Sequence, residues 1–321
     1  MTGSLPVLVV GEALVDVIVD PDGSGRNHPG GSPANVALGL GRLGHPVRLA
    51  TRVGRDDFGD LLRKHLENSG VELSPGSVVD TATSTATAVL DAAGAARYTF
   101  DIDWALSGTV EETLRDSPPR HVHTGSIATA LSPGADQVLT TLHALRGSAT
   151  VSYDPNLRPA LLRSPTEERE RVEQLVTLSD VVKASEEDLA WLHPGETPDV
   201  TAARWARSGP ALVVLTRGAD GATVWWRNGR QDIAPVRVQV ADTVGAGDAF
   251  MAALVSRLLD ARLLDGGPGA EAVTARAALR ASTDTGRLPT VLTGALTAAS
   301  RAAALTCARE GADPPRAAEL V

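Results

Sequence analysis

The stretch Asp242-Thr-Val-Gly-Ala-Gly-Asp-Ala-Phe250 sets two glycines and a lone carboxylate where an extended segment should give way to an apolar helix. Before it, Val236, Val238 and Val240 alternate with polar residues as a strand would; after it, Phe250, Leu254 and Leu258 recur at helical spacing. In such a strand-to-helix turn, Gly245 and Gly247 let the backbone approach a ligand closely. Unpaired N–H groups at the helix start can then point at an anion. Asp248 falls in the first helical turn. A carboxylate beside an anion hole would repel bound phosphate, so its fitting task is to accept a proton from an attacking hydroxyl. The chemistry this implies is phosphoryl transfer; the bland alternative is a Gly-rich turn with Asp248 as a helix-start charge.

Phosphoryl transfer also needs an acceptor held in line and charge stabilisation on the transferred group. Asp16 follows the apolar run Val7–Val10, and Asn35 opens the helix expected after Gly30-Gly31, where Ser32 can cap, Pro33 suits the first turn, and Val36, Leu40 and Leu43 form one apolar stripe. Both polar residues can face one cleft above the strand ends, and together they suit a polyhydroxylated ligand. The plainer readings are a turn-stabilising Asp16 and a capping Asn35. Asp154-Pro-Asn156-Leu-Arg158 and Thr216-Arg217-Gly218 each follow a short apolar run. Arg158 can bind phosphate bidentately or pair with Asp154; Arg217 can add charge near phosphate or lie on the surface. His121 and His123 have no partner cluster in sequence and read as packed histidines.

The elements that must position these residues are an alternation of buried strands and helices. Val7–Val10, Leu49–Val53, Val151–Tyr153, Val181–Val182 and Leu212–Leu215 are short apolar runs separated by helical patterns, as in a parallel sheet covered on both faces. Two segments read as hairpins instead: Thr83–Leu90 with Arg97–Ile102 around Ala93-Gly94, and Thr223–Arg227 with Gln231–Ala234 around Asn228-Gly229. Trp225 and Trp226, being adjacent on a strand, must face opposite sides. Residues 264–297 have no clear role in this plan and read as an insertion.

Composition narrows the functional classes. The 321 residues carry 43% hydrophobic and 21% charged side chains, enough for a substantial core, and a formal charge of -9 that argues against nucleic acid. Only two lysines, Lys64 and Lys183, are present, and neither sits in a P-loop pattern. No apolar run is long enough to cross a bilayer and no signal-like start is seen, so a cytoplasmic protein without membrane contact is expected. The single cysteine, Cys307, excludes an intrachain disulfide.

The Asp242–Phe250 stretch resembles the C-terminal signature of the ribokinase-like sugar kinases, the PfkB carbohydrate kinase family. Gly30-Gly31-Ser-Pro-Ala-Asn35-Val-Ala37, with Gly44 and Gly54 beyond it, resembles the N-terminal one. Gly11–Asp16, Ser152–Pro159 and Lys183–Leu189 are similar to the fructokinase branch. The resemblance spans nearly the whole chain. It implies one α/β domain over residues 1–321, with a mostly parallel central sheet, helices on both faces and a small β lid from segments near 12–20 and 83–105. It also implies an ATP-dependent kinase with fructose as acceptor. Asp248 would be the base, the backbone of Gly245, Ala246 and Gly247 the anion hole, and Asp16, Gly30, Gly31 and Asn35 the sugar site. Arg158, Thr216, Arg217 and Gly218 would meet the nucleotide.

The family's Asn-x-x-Glu motif for Mg2+ corresponds to Ser185-Glu-Glu-Asp188, which leaves Glu187 and Asp188 as rivals. Asp242 and the Val244 carbonyl match a monovalent-cation site, such as one for K+, with residues 308–314 opposite. The lid often pairs between subunits in this family, so a homodimer is implied. The rival substrates are 2-dehydro-3-deoxygluconate, whose carboxylate would need Arg97 or Arg158, ribose and other sugars or nucleosides. A non-catalytic sugar sensor is the reading from another class.

Overall fold

The computed structural model describes residues 5–90, 96–107 and 118–320. In chain order its strands are β1 (Val7–Val10), β2 (Leu14–Val19), β3 (Gly25–Gly30), β4 (Val47–Ala50), β5 (Val53–Gly54), β6 (Val71–Leu73), β7 (Val78–Val79) and β8 (Thr85–Leu90). Then come β9 (Ala96–Asp101), β10 (His121–Gly125), β11 (Thr150–Asp154), β12 (Val181–Ser185), β13 (Leu212–Thr216), β14 (Ala222–Trp226) and β15 (Gly229–Ile233). The helices are α1 (Ser32–Arg42), α2 (Asp57–Glu67), α3 (Gly134–Leu145), α4 (Pro165–Leu178), α5 (Glu186–Leu192), α6 (Pro198–Ser208), α7 (Ala246–Asp260), α8 (Glu271–Ser282) and α9 (Thr290–Cys307).

The apolar runs build one nine-stranded sheet in the order β15-β14-β13-β12-β11-β10-β1-β4-β6. It is parallel from β6 to β13, and β14 and β15 add an antiparallel edge. Each face is covered, which is why the central strands are apolar without alternation. Val7 and Val9 of β1 join a core with Val36, Leu40, Leu254 and Leu292 from α1, α7 and α9. Leu8 and Val10 join the opposite core, with Val138, Leu142, Leu175 and Trp205 from α3, α4 and α6. From β1 the chain first adds strands on one side, to β6, and then returns to lay β10 on the other. That reversal opens a crevice at the carboxyl ends of the strands.

A second, four-stranded sheet has the order β3-β2-β8-β9. Leu14 and Ala86 from its inner side pack against Ile127, just beyond β10, so this small sheet is held against the crevice. Gly11–Ala13 leads into it from β1, and Gly31, with φ at 100°, leads out of it into α1. That φ is one glycine adopts without strain.

Several local expectations are corrected. Residues 236–240 form no strand: Pro235, two residues past the end of β15, lacks the N–H a ladder needs, and Val236, Val238 and Val240 are exposed. Leu49–Val53 is broken into β4 and β5, which belong to different sheets. Asp16 lies within β2 of the small sheet, in the segment expected to form a β lid, and the plainer reading of a turn-stabilising Asp16 falls away. The first hairpin begins at Thr85, because Thr83 is drawn to Asp56 through its N–H and hydroxyl. Its expected turn at Ala93-Gly94 lies outside the described residues. In the second, Trp226 pairs with Gly229, so the turn residues are Arg227 and Asn228. Trp226 is core, its indole N–H donating to the Thr285 carbonyl, while Trp225 is half-buried with the Arg230 guanidinium 5.3 Å above its ring. The unreadable 264–297 region holds α8 and the start of α9; Ala272, Ala275 and Leu279 are buried, and Arg276 reaches the buried Asp180.

Candidate active site

The start of α7 is fixed from both sides. Asp242 accepts from the Val244 N–H at 3.0 Å and from the Gly311 N–H at 2.9 Å, and the Ala241 N–H donates to the Cys307 carbonyl. Burial opposes the Asp242 charge, but the backbone N–H groups of Val244, Gly311 and Thr243 outweigh it and hold the carboxyl below its usual range. Gly245 then takes a left-handed φ of 74°, and no side chain caps the helix. At this helix start the Ala246 N–H donates to the Thr243 carbonyl at 3.3 Å, and the turn carries the partial positive end of the helix dipole.

Asp248, in that first turn, is buried, and both of its oxygens are held by α1. Ser32 Oγ donates to Oδ1 at 2.7 Å and Asn35 Nδ2 to Oδ2 at 2.8 Å. Ser32 is thus not a cap; it is inside the first turn, where its hydroxyl accepts from Asn156 Nδ2 at 2.8 Å while donating to Asp248. Each carboxylate oxygen has two lone-pair directions, so Asp248 keeps acceptor capacity for a further hydroxyl. The helices meet closely because α1 carries Gly39 at the crossing. A Cβ there would stand 2.6 Å from Ala252 Cβ of α7.

Across the crevice, Asp16 is half-buried beside Gly30, where a Cβ would lie 2.3 Å from its Oδ2. Burial raises the Asp16 pKa, with His28 and Arg158 acting against the rise. Beneath it Glu12 is buried, accepting from the Ala128 N–H at 2.9 Å, and burial pushes its carboxyl up to about 7 against those hydrogen bonds and the Arg158 charge. Arg158 therefore carries its charge on the side of Asp16 and Glu12. Its guanidinium donates to Asn156 Oδ1 and to the Asn156 and Leu157 carbonyls, and not to Asp154.

The remaining residues singled out from sequence have these settings. Asp188 is buried and closes a capping box with Ser185, while its other oxygen accepts from the Leu157 N–H at 2.7 Å. Glu187, its rival, is exposed. Thr216 ends β13, and Gly218 opens the short turn after it. Arg217 is engaged by Glu186, by both oxygens of Asp199 at 2.9 Å and by Thr223, so its guanidinium is committed to protein partners. Val244 is exposed beside Asp242. His121 and His123 are packed in the sheet against Thr150 and Ser152, and burial holds His123 down at about 3.

Sequence reasoning missed three participants: Ser32 as a donor, Asn156 as its support, and the buried ion pair of Lys183 with Asp154, 2.8 Å apart. The signal for the last was available, since a lysine inside a strand that reads as buried needs an acid.

A doubly wound sheet whose crevice holds an uncapped helix start and a shielded carboxylate defines an enzyme that transfers a charged group to a hydroxyl. The chain belongs to the pfkB family of carbohydrate kinases, whose pattern matches residues 5–318. Among relatives, a Klebsiella pneumoniae fructokinase is 36% identical over 261 residues, covering 78% of this chain and 84% of the relative. The crystal structure of a Xylella fastidiosa fructokinase with bound ATP matches with a TM-score of 0.82 at 26% identity, over 98% of this chain and 96% of that one. A Vibrio cholerae fructokinase double mutant, in its fructose-, ADP- and potassium-bound form, matches with a TM-score of 0.74 at 29% identity, over 97% and 95% of the two chains. The chain is a phosphotransferase acting on a sugar hydroxyl.

Proposed function

We propose that this enzyme is an ATP-dependent fructokinase that makes fructose 6-phosphate. The observation that carries the reading is the Asp248 carboxylate, held by Ser32 and Asn35 at the uncapped start of α7. Asp248 takes the proton of the attacking sugar hydroxyl as its oxygen bonds to the γ-phosphorus and the bond to ADP breaks. The Gly245–Gly247 backbone steadies the charge on the transferred group. Asp16 and Asn35 orient the sugar, with Gly30 and Gly31 allowing the backbone close to it. Residues 12–20 and 83–105 serve as a lid over one domain of 1–321. The Thr216–Gly218 backbone meets the nucleotide.

Among the described residues no group of three His, Cys, Asp or Glu side chains forms a metal cage. Magnesium would arrive on the nucleotide, keep several waters and offset phosphate charge, with exposed Glu187 or buried Asp188 acting through water. The anchored Asp242 and the Val244 carbonyl, opposite 308–314, are the wall offered to a monovalent cation such as K+. Exposed Val89 and the stacked Tyr98–Phe100 rings of the small sheet support a homodimer through the lid. Among the described residues no helix is long and apolar enough to cross a membrane, and the setting proposed is the cytoplasm.

A second reading has an observation of its own. The charge of Arg158 lies toward Asp16 and Glu12, where it can meet the carboxylate of a keto-sugar acid. ADP release measured side by side with fructose, ribose, adenosine and 2-dehydro-3-deoxygluconate tests both. The highest kcat/KM is expected with fructose. A clear preference for the acid, lost in Arg158→Gln, would replace fructose with that substrate, and no turnover of any sugar would remove the kinase reading.

A further inference from the structure

Lys183 is the buried member of the chain's two lysines, 4% exposed at the middle of β12. Its Nζ lies 2.8 Å from Oδ2 of Asp154, which is 0% exposed, and among the described residues no other hydrogen-bond donor reaches either oxygen of that carboxylate. A lone buried pair of this kind is poor support for a fold, because apolar replacements of similar volume are often as stable. Its location gives it another use. A Cβ added at Gly247 would stand 3.1 Å from Lys183 Nζ, so the ammonium lies directly under the first turn of α7. Burial works against its charge, but the carboxylates of Asp154, Asp188 and Asp248 outweigh that and keep the lysine protonated. Arg217, the arginine of the nucleotide-side loop, is committed to Glu186 and Asp199.

We propose that Lys183, held in place by Asp154, is a positioning residue for phosphoryl transfer, its fixed charge acting through the first turn of α7. The inference rests on the kinase reading above. Asp248 must stay a carboxylate beside the incoming phosphates, and two negative groups at close range in a water-poor crevice repel strongly. An ammonium fixed beneath Gly247 offsets that repulsion when the phosphoryl group reaches the helix start. Being locked by Asp154, it needs no reorganisation as the charge develops.

The test compares Lys183→Met, Asp154→Asn and the double variant, with kcat referred to the folded fraction measured by circular dichroism. Either single change breaks the pair, but only Lys183→Met removes the cation. Lys183→Met and the double variant are expected to lose about 10²-fold in kcat with sugar KM little changed, whereas Asp154→Asn loses less than about tenfold. The double variant, having no unpaired buried charge, regains thermal stability without regaining kcat. Equal kcat losses in the two single variants, or wild-type kcat in the double, overturn the proposal. Calorimetry supplies an arm that needs no turnover: a non-hydrolysable ATP analogue should bind Lys183→Met several-fold more weakly than wild type, with AMP unaffected. Unchanged analogue affinity counts against the lysine, whereas wild-type protein that phosphorylates no sugar counts against the kinase reading alone.

Discussion

Asn35 Nδ2 donates to Asp248 Oδ2 at 2.8 Å, joining the first turns of two helices that are 213 residues apart in sequence. Because Ser32 holds the other oxygen, the carboxylate is fixed from both sides and keeps acceptor capacity for a further hydroxyl. Asn35 consequently belongs to the base as much as to the sugar site.

Replacing Asp248 by Asn removes the proton acceptor while keeping the shape. Asn35 can turn its amide and Ser32 its hydroxyl to suit the new side chain, so the fold and sugar affinity should persist. The expected outcome is a kcat about 10² to 10⁴ below wild type, the range for general acid–base catalysis. Steady-state kinetics on protein with an unchanged circular dichroism spectrum checks it; near-normal kcat would remove Asp248 from the role of base.

Asp16→Ala and Asn35→Ala should separate. Asp16 touches no part of the Asp248 cluster, so its loss should raise sugar KM by about tenfold or more with ATP affinity intact. Asn35→Ala should lower kcat as well, because it frees Asp248 to turn. If both variants changed KM alone, the bond to Asp248 would have no catalytic weight.

The legible parts of this chain were those dictated by local chemistry. Valine and leucine runs announced the central strands, and Gly245 to Asp248 announced the helix start at the crevice. What stayed hidden depended on distant partners. β3 has the sequence GRNHPG with no apolar alternation, and Pro29 is tolerated there because the strand lies at a sheet edge. Val236, Val238 and Val240 alternated convincingly yet found no strand to pair with. Ser32 looked like a cap because local pattern cannot show that Asp248 will draw its hydroxyl away. For Arg217 the sequence left a phosphate contact and a surface position open, because Asp199 and Glu186 reach it only after α5 and α6 have packed.

Gly39→Val tests whether the close crossing of α1 and α7 sets the base. The added Cβ would meet Ala252 Cβ at 2.6 Å, so the helices must part. Overpacking of this kind costs about 1–3 kcal/mol, and it should also lower kcat by stretching the Ser32 and Asn35 bonds to Asp248. Ala252→Gly in the same chain should relieve the clash and restore part of both. Thermal unfolding and kcat measured together check the link; stability lost with kcat unchanged would break it.

Glu12 predicts a pH dependence whose sign differs from the usual carboxylate. Burial raises its folded pKa to about 7 from an ordinary value of 4.5, so the folded protein binds more protons than the unfolded chain between those values. Its contribution to stability is therefore fully present below about 4.5 and is lost as the pH rises through about 7. Glu12→Gln keeps an oxygen for the Ala128 N–H but does not titrate. The difference in stability between Glu12→Gln and wild type should shift in favour of the variant from pH 5 to pH 8, by as much as a few kcal/mol in order of magnitude. Other groups, the packed His123 among them, titrate alike in both proteins and cancel in the comparison. Denaturant unfolding of the pair across this range checks the prediction, and a difference that is flat with pH would show that Glu12 titrates in the folded protein as it does in the unfolded chain.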